Sequence, residues 1–406
     1  MVRDPSRARV TGPLQQYAAG FVGELARLGY TGNSASGQMF VMGHLSRWLV
    51  SEGLDASGLT PQVAERFLAA RRQAGYVLYL SPKALVPLLS YLRSVGAVPP
   101  EPASAPAGAV EVLLDRYRRF LLAERGVTPG TARGYVDAVR AFAAGREHAG
   151  ELDLAGLTAA EVIGFVLATC PGLRKGTAKL VVTALRSLLG WLHLAGEIPA
   201  PLAWAVPAVA SWRLAGLPKA LEQGQVAVML ASCDRGTAAG RRDAAMLTLM
   251  TRLGLRAGEV AGLALEDIDW RAGEITVQGK GRRSERLPLP ADVGEVIASY
   301  LRESRPVAFA GDRRVFLRIR APHRGLTTSG VSEAVFAAGK RSGVGPVHAH
   351  RLRHTAASEM RRAGAPLTEI GQVLRHRRLL STAIYAKTDL DALRALARPW
   401  PAGGAR

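Results

Sequence analysis

The chain has 406 residues, 48% of them apolar, with 53 Lys and Arg against 33 Asp and Glu for a net charge of +20. That length predicts two or three domains, and the apolar share excludes a disordered chain. The two cysteines, Cys170 and Cys233, lack paired spacing, which argues against a disulfide framework or zinc knuckle and for a reducing interior.

Seven of the 53 cations are lysines, so the charge is mostly guanidinium. Guanidinium forks match phosphates, and a basic chain releases counterions along a nucleic acid. A plain bias towards Arg would give the same total. The opening MVRDPSRARV has no apolar run and is not a secretory signal. The longest apolar region, 198–217, is broken by Pro199, Pro201 and Pro207 and holds Arg213, so it cannot span a bilayer. A soluble, cytoplasmic protein is expected.

Two composition breaks, VPPEPASAPAG at 98–108 and a proline-rich stretch at 198–218, place the expected domains at 1–100, 106–200 and 218–406. The first segment repeats the second. LLSYLRSVGAVP at 88–99 matches LLGWLHLAGEIP at 188–199, and Leu59-Thr60 with Phe67-Leu68 answers Leu157-Thr158 with Phe165-Val166. Residues 29–48 loosely parallel 126–142. A duplicated helical module is the expectation, although short amphipathic helices resemble one another. Pro87 is expected to kink the last helix of the first copy.

The middle segment predicts four helices: 110–124, 131–144, one opening at Thr158 with Glu161 in a capping box, and 177–195. Val181, Leu185, Leu188 and Leu192 line one face of the fourth. Lys175, Lys179 and Arg186 line another, a stripe that suits phosphates or simply water. The third segment predicts helices at 224–232, 241–253, 292–303 and 328–340, and strands at 274–278 and 285–290 joined by GKGRRS. A strand is expected at 315–319, and helices at 350–362, 367–374 and 381–387 complete the tail. Five of the eight histidines follow residue 320, so chemistry is sought there.

Arg256 stands between Gly254 and Gly258 beside an apolar helix, a costly place unless it meets an anion; Glu259 can supply one, so a structural ion pair competes with a site. Lys280 sits at a Gly-Lys-Gly turn with Arg282 and Arg283 beside it, a tip that fits a groove or faces solvent. His350 and Arg353 share a helix face. His354 lies one turn from His350 and invites a metal reading, but Arg351 stands where a zinc helix needs Glu, and Arg351 and Arg353 would repel a dication. His376 precedes Tyr385, which alone would be an ordinary packed aromatic.

Together these groups meet the needs of phosphodiester transesterification. A phenol with a pKa near ~10 must lose its proton to attack phosphorus. Guanidinium groups stabilise the charge gathered on the nonbridging oxygens, and an ammonium can protonate the leaving sugar oxygen. Clustered carboxylates of the kind that hold Mg²⁺ are not evident, and two arginines can take over that electrostatic role.

The set resembles the catalytic domain of the tyrosine recombinase, or phage integrase, family. Its pattern is an Arg in GLR-x-GE, a hairpin Lys, H-x-x-R, a later His or Trp, and a Tyr. Arg256 with Glu259, Lys280, His350 with Arg353, His376 and Tyr385 fill it in order over 219–390. The resemblance implies a mostly α fold: two helical DNA-binding modules, then an α+β catalytic domain with a small antiparallel sheet. It implies that 106–200 is the core-binding domain closing on double-stranded DNA. By the same likeness Tyr385 forms a 3′-phosphotyrosyl link, Arg256 and Arg353 clamp the phosphate, and Lys280 protonates the 5′-oxygen. His350 handles the tyrosine proton, His376 bonds a phosphate oxygen, and Glu259 orients the first Arg's surroundings. No cofactor, ATP or metal is implied. Self-association into a tetramer on DNA is, with accessory recombinase or directionality proteins as further partners. Length favours a transposon-borne integrase. The rival readings are a type IB topoisomerase, a non-catalytic DNA-binding regulator and a metal-dependent nuclease.

Overall fold

The computed structural model describes residues 4–100, 108–210, 220–279, 284–306, 311–375, 382 and 385. The chain divides into two compact units, Met1–Pro99 together with Gly216–Arg406, and Pro100–Ala215.

In the first unit the N-terminal module comprises α1 (Ala18–Arg27), α2 (Gly32–Ser51), α3 (Pro61–Gln73) and α4 (Pro82–Ser94). Phe21, Leu25, Met42, Leu45, Phe67, Leu88 and Leu92 meet in its core. The Thr31 and Thr60 hydroxyls accept from the backbones of Ser34 and Val63, satisfying amide hydrogens that a helix start leaves free. Helix α4 runs on through Pro87.

The second unit has α5 (Ala109–Ala123), α6 (Pro129–Ala144), α7 (Ala159–Thr169) and α8 (Lys175–Leu194) around Tyr117, Val139, Val162, Leu185, Leu188 and Leu192. Thr158 and Glu161 form the expected capping box. A two-residue hairpin, β1 (Glu147–His148) with β2 (Glu151–Leu152), was not foreseen. The two modules match in detail. Thr31 and Thr128 cap the second helices, Thr60 and Thr158 the third, and Gly96 and Gly196 close the fourth at φ +72° and +74°.

The remaining part of the first unit is built on α10 (Ala238–Arg252), preceded by α9 (Gln225–Ala231) and followed by α11 (Ala257–Gly262). Residues Asp243 to Thr251 are all buried, so this stretch of α10 is enclosed on every side and forms the hub. Strands β3 (Ile268–Asp269), β4 (Glu274–Gln278) and β5 (Ser284–Pro288) make an antiparallel sheet in sequence order. Ile275 and Val277 of β4 point inward and its other residues outward, as period-two alternation demands. Helices α12 (Ala291–Glu303), α13 (Thr328–Arg341), α14 (Ala349–Arg362) and α15 (Leu367–Val373) complete it.

The strand expected at 315–319 does not form. Val315, Phe316 and Leu317 are buried, but the backbone makes isolated bridges, Arg314 with Ala264 and Leu317 with Gly325: the Val315 N–H donates to the Leu263 carbonyl, and the Phe316 carbonyl accepts from Leu326. Burial on all sides produces the apolar run without a ladder. Helix α11 was not foreseen either; two of its six residues are glycine, and the Glu259 carboxylate holds its first turn by accepting from the Arg256 N–H. Among the described residues no helix is long and apolar enough to cross a membrane.

Candidate active site

Arg256 is the N-cap of α11, so its side chain leaves the helix end towards solvent, 43% exposed. Its Nη1 donates to Glu259 Oε1 at 2.6 Å and its backbone N–H to Oε2 at 2.8 Å. The structural ion pair therefore exists, yet it leaves much of the guanidinium accessible to an anion. Glu259 Oε2 also accepts from Arg375 Nη2 at 2.7 Å. Burial would raise the Glu259 carboxyl, but the Arg256 N–H, the Arg375 charge and the Arg256 guanidinium together hold it below the ordinary value.

Arg353 lies inside α14 and is 1% exposed. Its Nη1 donates to the Gly254 carbonyl at 2.6 Å, and Nη2 to the Leu374 carbonyl. Burial, then the charge of Arg256, lowers its pKa to about 10, so it stays cationic at neutral pH. Gly254 has φ +61°, and a Cβ there would come within 2.5 Å of Leu374 Cδ2. The glycine thus lets the chain turn tightly enough to offer its carbonyl to Arg353.

Tyr385 is 2% exposed and packs on Ala357, Ile370 and Leu374. Gly371 faces Thr382, where a Cβ would lie 3.1 Å from Oγ1, so the chain before Tyr385 passes close to α15. The Tyr385 hydroxyl is 2.9 Å from His354 Nδ1. Burial, then the His350 and Arg353 charges, lowers His354 to about 4, so the ring is neutral and Nδ1 can accept the phenolic hydrogen. Burial raises the Tyr385 hydroxyl while Arg353 and Arg256 pull it down. With the imidazole at about 4 and the phenol above its usual range, the proton stays on oxygen in this state. His350 stacks edge-on against His354 at 4.5 Å and is lowered by burial, Arg353 and Arg256.

Arg256, Glu259, Arg353, His350 and Tyr385 are therefore gathered within one electrostatic neighbourhood. Sequence reasoning weighed His354 only as a metal ligand. Its place next to Arg353 and one turn beyond His350 was the signal for a place beside Tyr385. Its Nδ1 is engaged by the hydroxyl and arginine charge surrounds it, conditions that oppose a dication. Lys280, Arg282, Arg283 and His376 lie outside the described residues; β4 and β5 pair up to Gln278 and Ser284 on either side of the first three. In the second unit Lys175 and Lys179 are exposed on α8, while Arg186, also exposed, donates to the Val206 carbonyl at 2.7 Å.

The pattern of the phage integrase family matches residues 219–391, and that of the phage integrase N-terminal SAM-like domain matches 114–196. The chain belongs to this family, the tyrosine recombinases, whose members are site-specific DNA recombinases. It is 44% identical to a Sinorhizobium fredii protein described as an integrase/recombinase, y4rA, over 96% of this chain and 95% of that one. It is 29% identical to the tyrosine recombinase XerD of Listeria monocytogenes, over 67% and 93%. Its fold is similar to that of the XerH site-specific recombinase, with a TM-score of 0.55 at 18% identity, covering 83% of this chain and 94% of the other.

Proposed function

We propose that this recombinase cleaves and rejoins DNA with Tyr385 as the nucleophile. The Tyr385 oxygen bonds to the scissile phosphorus as the bond to the 5′-oxygen breaks, giving a 3′-phosphotyrosyl link and a 5′-hydroxyl. Arg256 and Arg353 hold the nonbridging oxygens, Lys280 gives the leaving oxygen its proton, and His376 hydrogen-bonds the phosphate. The phenolic proton departs through His354 and His350, and Glu259 orients Arg256. The observation that carries this reading is a Tyr385 hydroxyl held 2.9 Å from a neutral histidine and within electrostatic reach of both arginines.

A substrate nicked beside the cleavage point tests it by trapping the covalent intermediate. The expected result is a protein–DNA adduct in EDTA that is absent in Tyr385→Phe. An adduct that needs added metal would point to a nuclease, and no adduct at all would point to a DNA-binding regulator.

The DNA-bound state is a tetramer in this proposal; a lambda integrase tetramer bound to a Holliday junction has a similar fold, at a TM-score of 0.52. The integrase of the Tn1549 transposon has the same fold similarity, 0.52, in line with a mobile-element role; the proposal sets that role in the cytoplasm, with accessory recombinase or directionality proteins as partners. The matched caps and closing glycines support the N-terminal module as a second copy of the DNA-binding module, with Lys175 and Lys179 of α8 and the hairpin's Arg282 and Arg283 on phosphates. Arg186 is a weaker candidate, since Val206 already takes one of its donors. Deleting residues 1–105 should then shorten the DNase footprint while sparing cleavage at a single site; an unchanged footprint would count against a DNA role for that module.

A further inference from the structure

Arg375 has φ +54°, a strained backbone state that bulky residues seldom adopt and that persists only where the surroundings enforce it. Its side chain is 3% exposed. Nη2 reaches Glu259, 116 residues away in sequence, at 2.7 Å, and Nη1 donates to the Val373 carbonyl at 2.9 Å. Nε is buried and meets no acceptor among the described residues. Neither the turn nor the packing calls for arginine here. Glycine would suit the backbone better, and burying a guanidinium with an unmet donor carries a desolvation cost.

What arginine changes is the charge around Glu259. Arg256 and Glu259 alone sum to zero, so a carboxylate bonded only to Arg256 would neutralise the very group offered to the phosphate. With Arg375 on the second oxygen, the three groups carry one net positive charge, and the accessible member is Arg256. We propose that Arg375 is a positioning residue for DNA cleavage, sharing the Glu259 carboxylate so that Arg256 stays oriented and keeps its attraction for the scissile phosphate. This inference rests on the recombination reading above.

The full-length wild type is compared with Arg375→Gly, Arg375→Met and Arg375→Lys on the nicked substrate, with adduct rate at saturating DNA and apparent DNA affinity measured separately. Arg375→Gly and Arg375→Met should slow adduct formation by about tenfold or more, the scale seen when the support of a ligand-holding group is removed, with DNA affinity nearly unchanged. Their acid limb should move to higher pH, because Glu259 without Arg375 takes up a proton more readily. Arg375→Lys, which keeps the charge, should recover to within about threefold of wild type.

A glycine variant as fast as wild type, with the same acid limb, overturns the proposal and leaves Arg375 a packing residue. So does a lysine variant as slow as methionine, and that comparison decides the matter if glycine does not fold. If wild type itself forms no adduct, the recombination reading fails instead.

Discussion

The α14 floor of the site and its α11 rim hold their arginines in opposite ways. On the floor, Arg353 is 1% exposed and spends Nη1 and Nη2 on the carbonyls of Gly254 and Leu374. On the rim, Arg256 is 43% exposed and engages one carboxylate. The proposed reaction asks both for the same charge, but only one of them is also a cross-brace between three chain segments. The difference teaches that equivalent chemistry does not mean equivalent structural weight. Solvation decides which residue the fold depends on.

Four measurements break or sharpen that contrast. Arg353→Ala should have the largest effect, costing roughly 3 kcal/mol or more in denaturant unfolding by orphaning two carbonyls, as well as abolishing the adduct. A loss below about 1 kcal/mol would show that the floor is not a brace. Gly254→Ala should cost about 1–2 kcal/mol, because φ +61° strains alanine and its Cβ meets the buried Leu374. Its adduct yield should fall as the mount of Arg353 shifts.

Arg256→Gln can still donate to Glu259 and should cost less than about 1 kcal/mol, yet lower the adduct rate by about 100-fold or more. Comparable unfolding midpoints for Arg256→Gln and Arg353→Ala would erase the distinction between rim and floor. The smallest effect is a pH slope beside the floor. His354 titrates at about 4 in the folded chain against an ordinary 6.5, so the unfolded chain takes the proton first. Stability should therefore fall as pH drops from 6.5 towards 4, with His350 acting in the same direction. Thermal midpoints at pH 7 and pH 5 should differ less in His354→Gln than in wild type; an equal difference would mean that the floor does not hold His354 neutral.

Much of the fold and part of the candidate site could be read from the chain where the pattern is local. The Thr158–Glu161 capping box spans one helical turn, β4 shows its alternation within five residues, and His350 with Arg353 shares a face of α14. Where pattern and context diverge, the reading failed. The apolar run at 315–319 looked like a strand because burial on every side and pairing on one side leave similar compositions. Helix α11 was hidden by its two glycines, since its support comes from a carboxylate rather than from propensity. His354 was passed over because its neighbour in space is Tyr385, thirty-one positions on.

From the sequence alone came the family's order of reactive groups, the basic balance and the helical periodicity, all of which are written in the order and composition of the chain. Only the tertiary structure decided which atoms those groups meet. Arg353 finds carbonyls far from it in the chain, Tyr385 rests on His354 rather than His350, and Arg375 crosses from α15 to share Glu259. Short-range patterns are set by backbone geometry. The partner of a buried charge depends on which distant segment the collapse of the core leaves beside it.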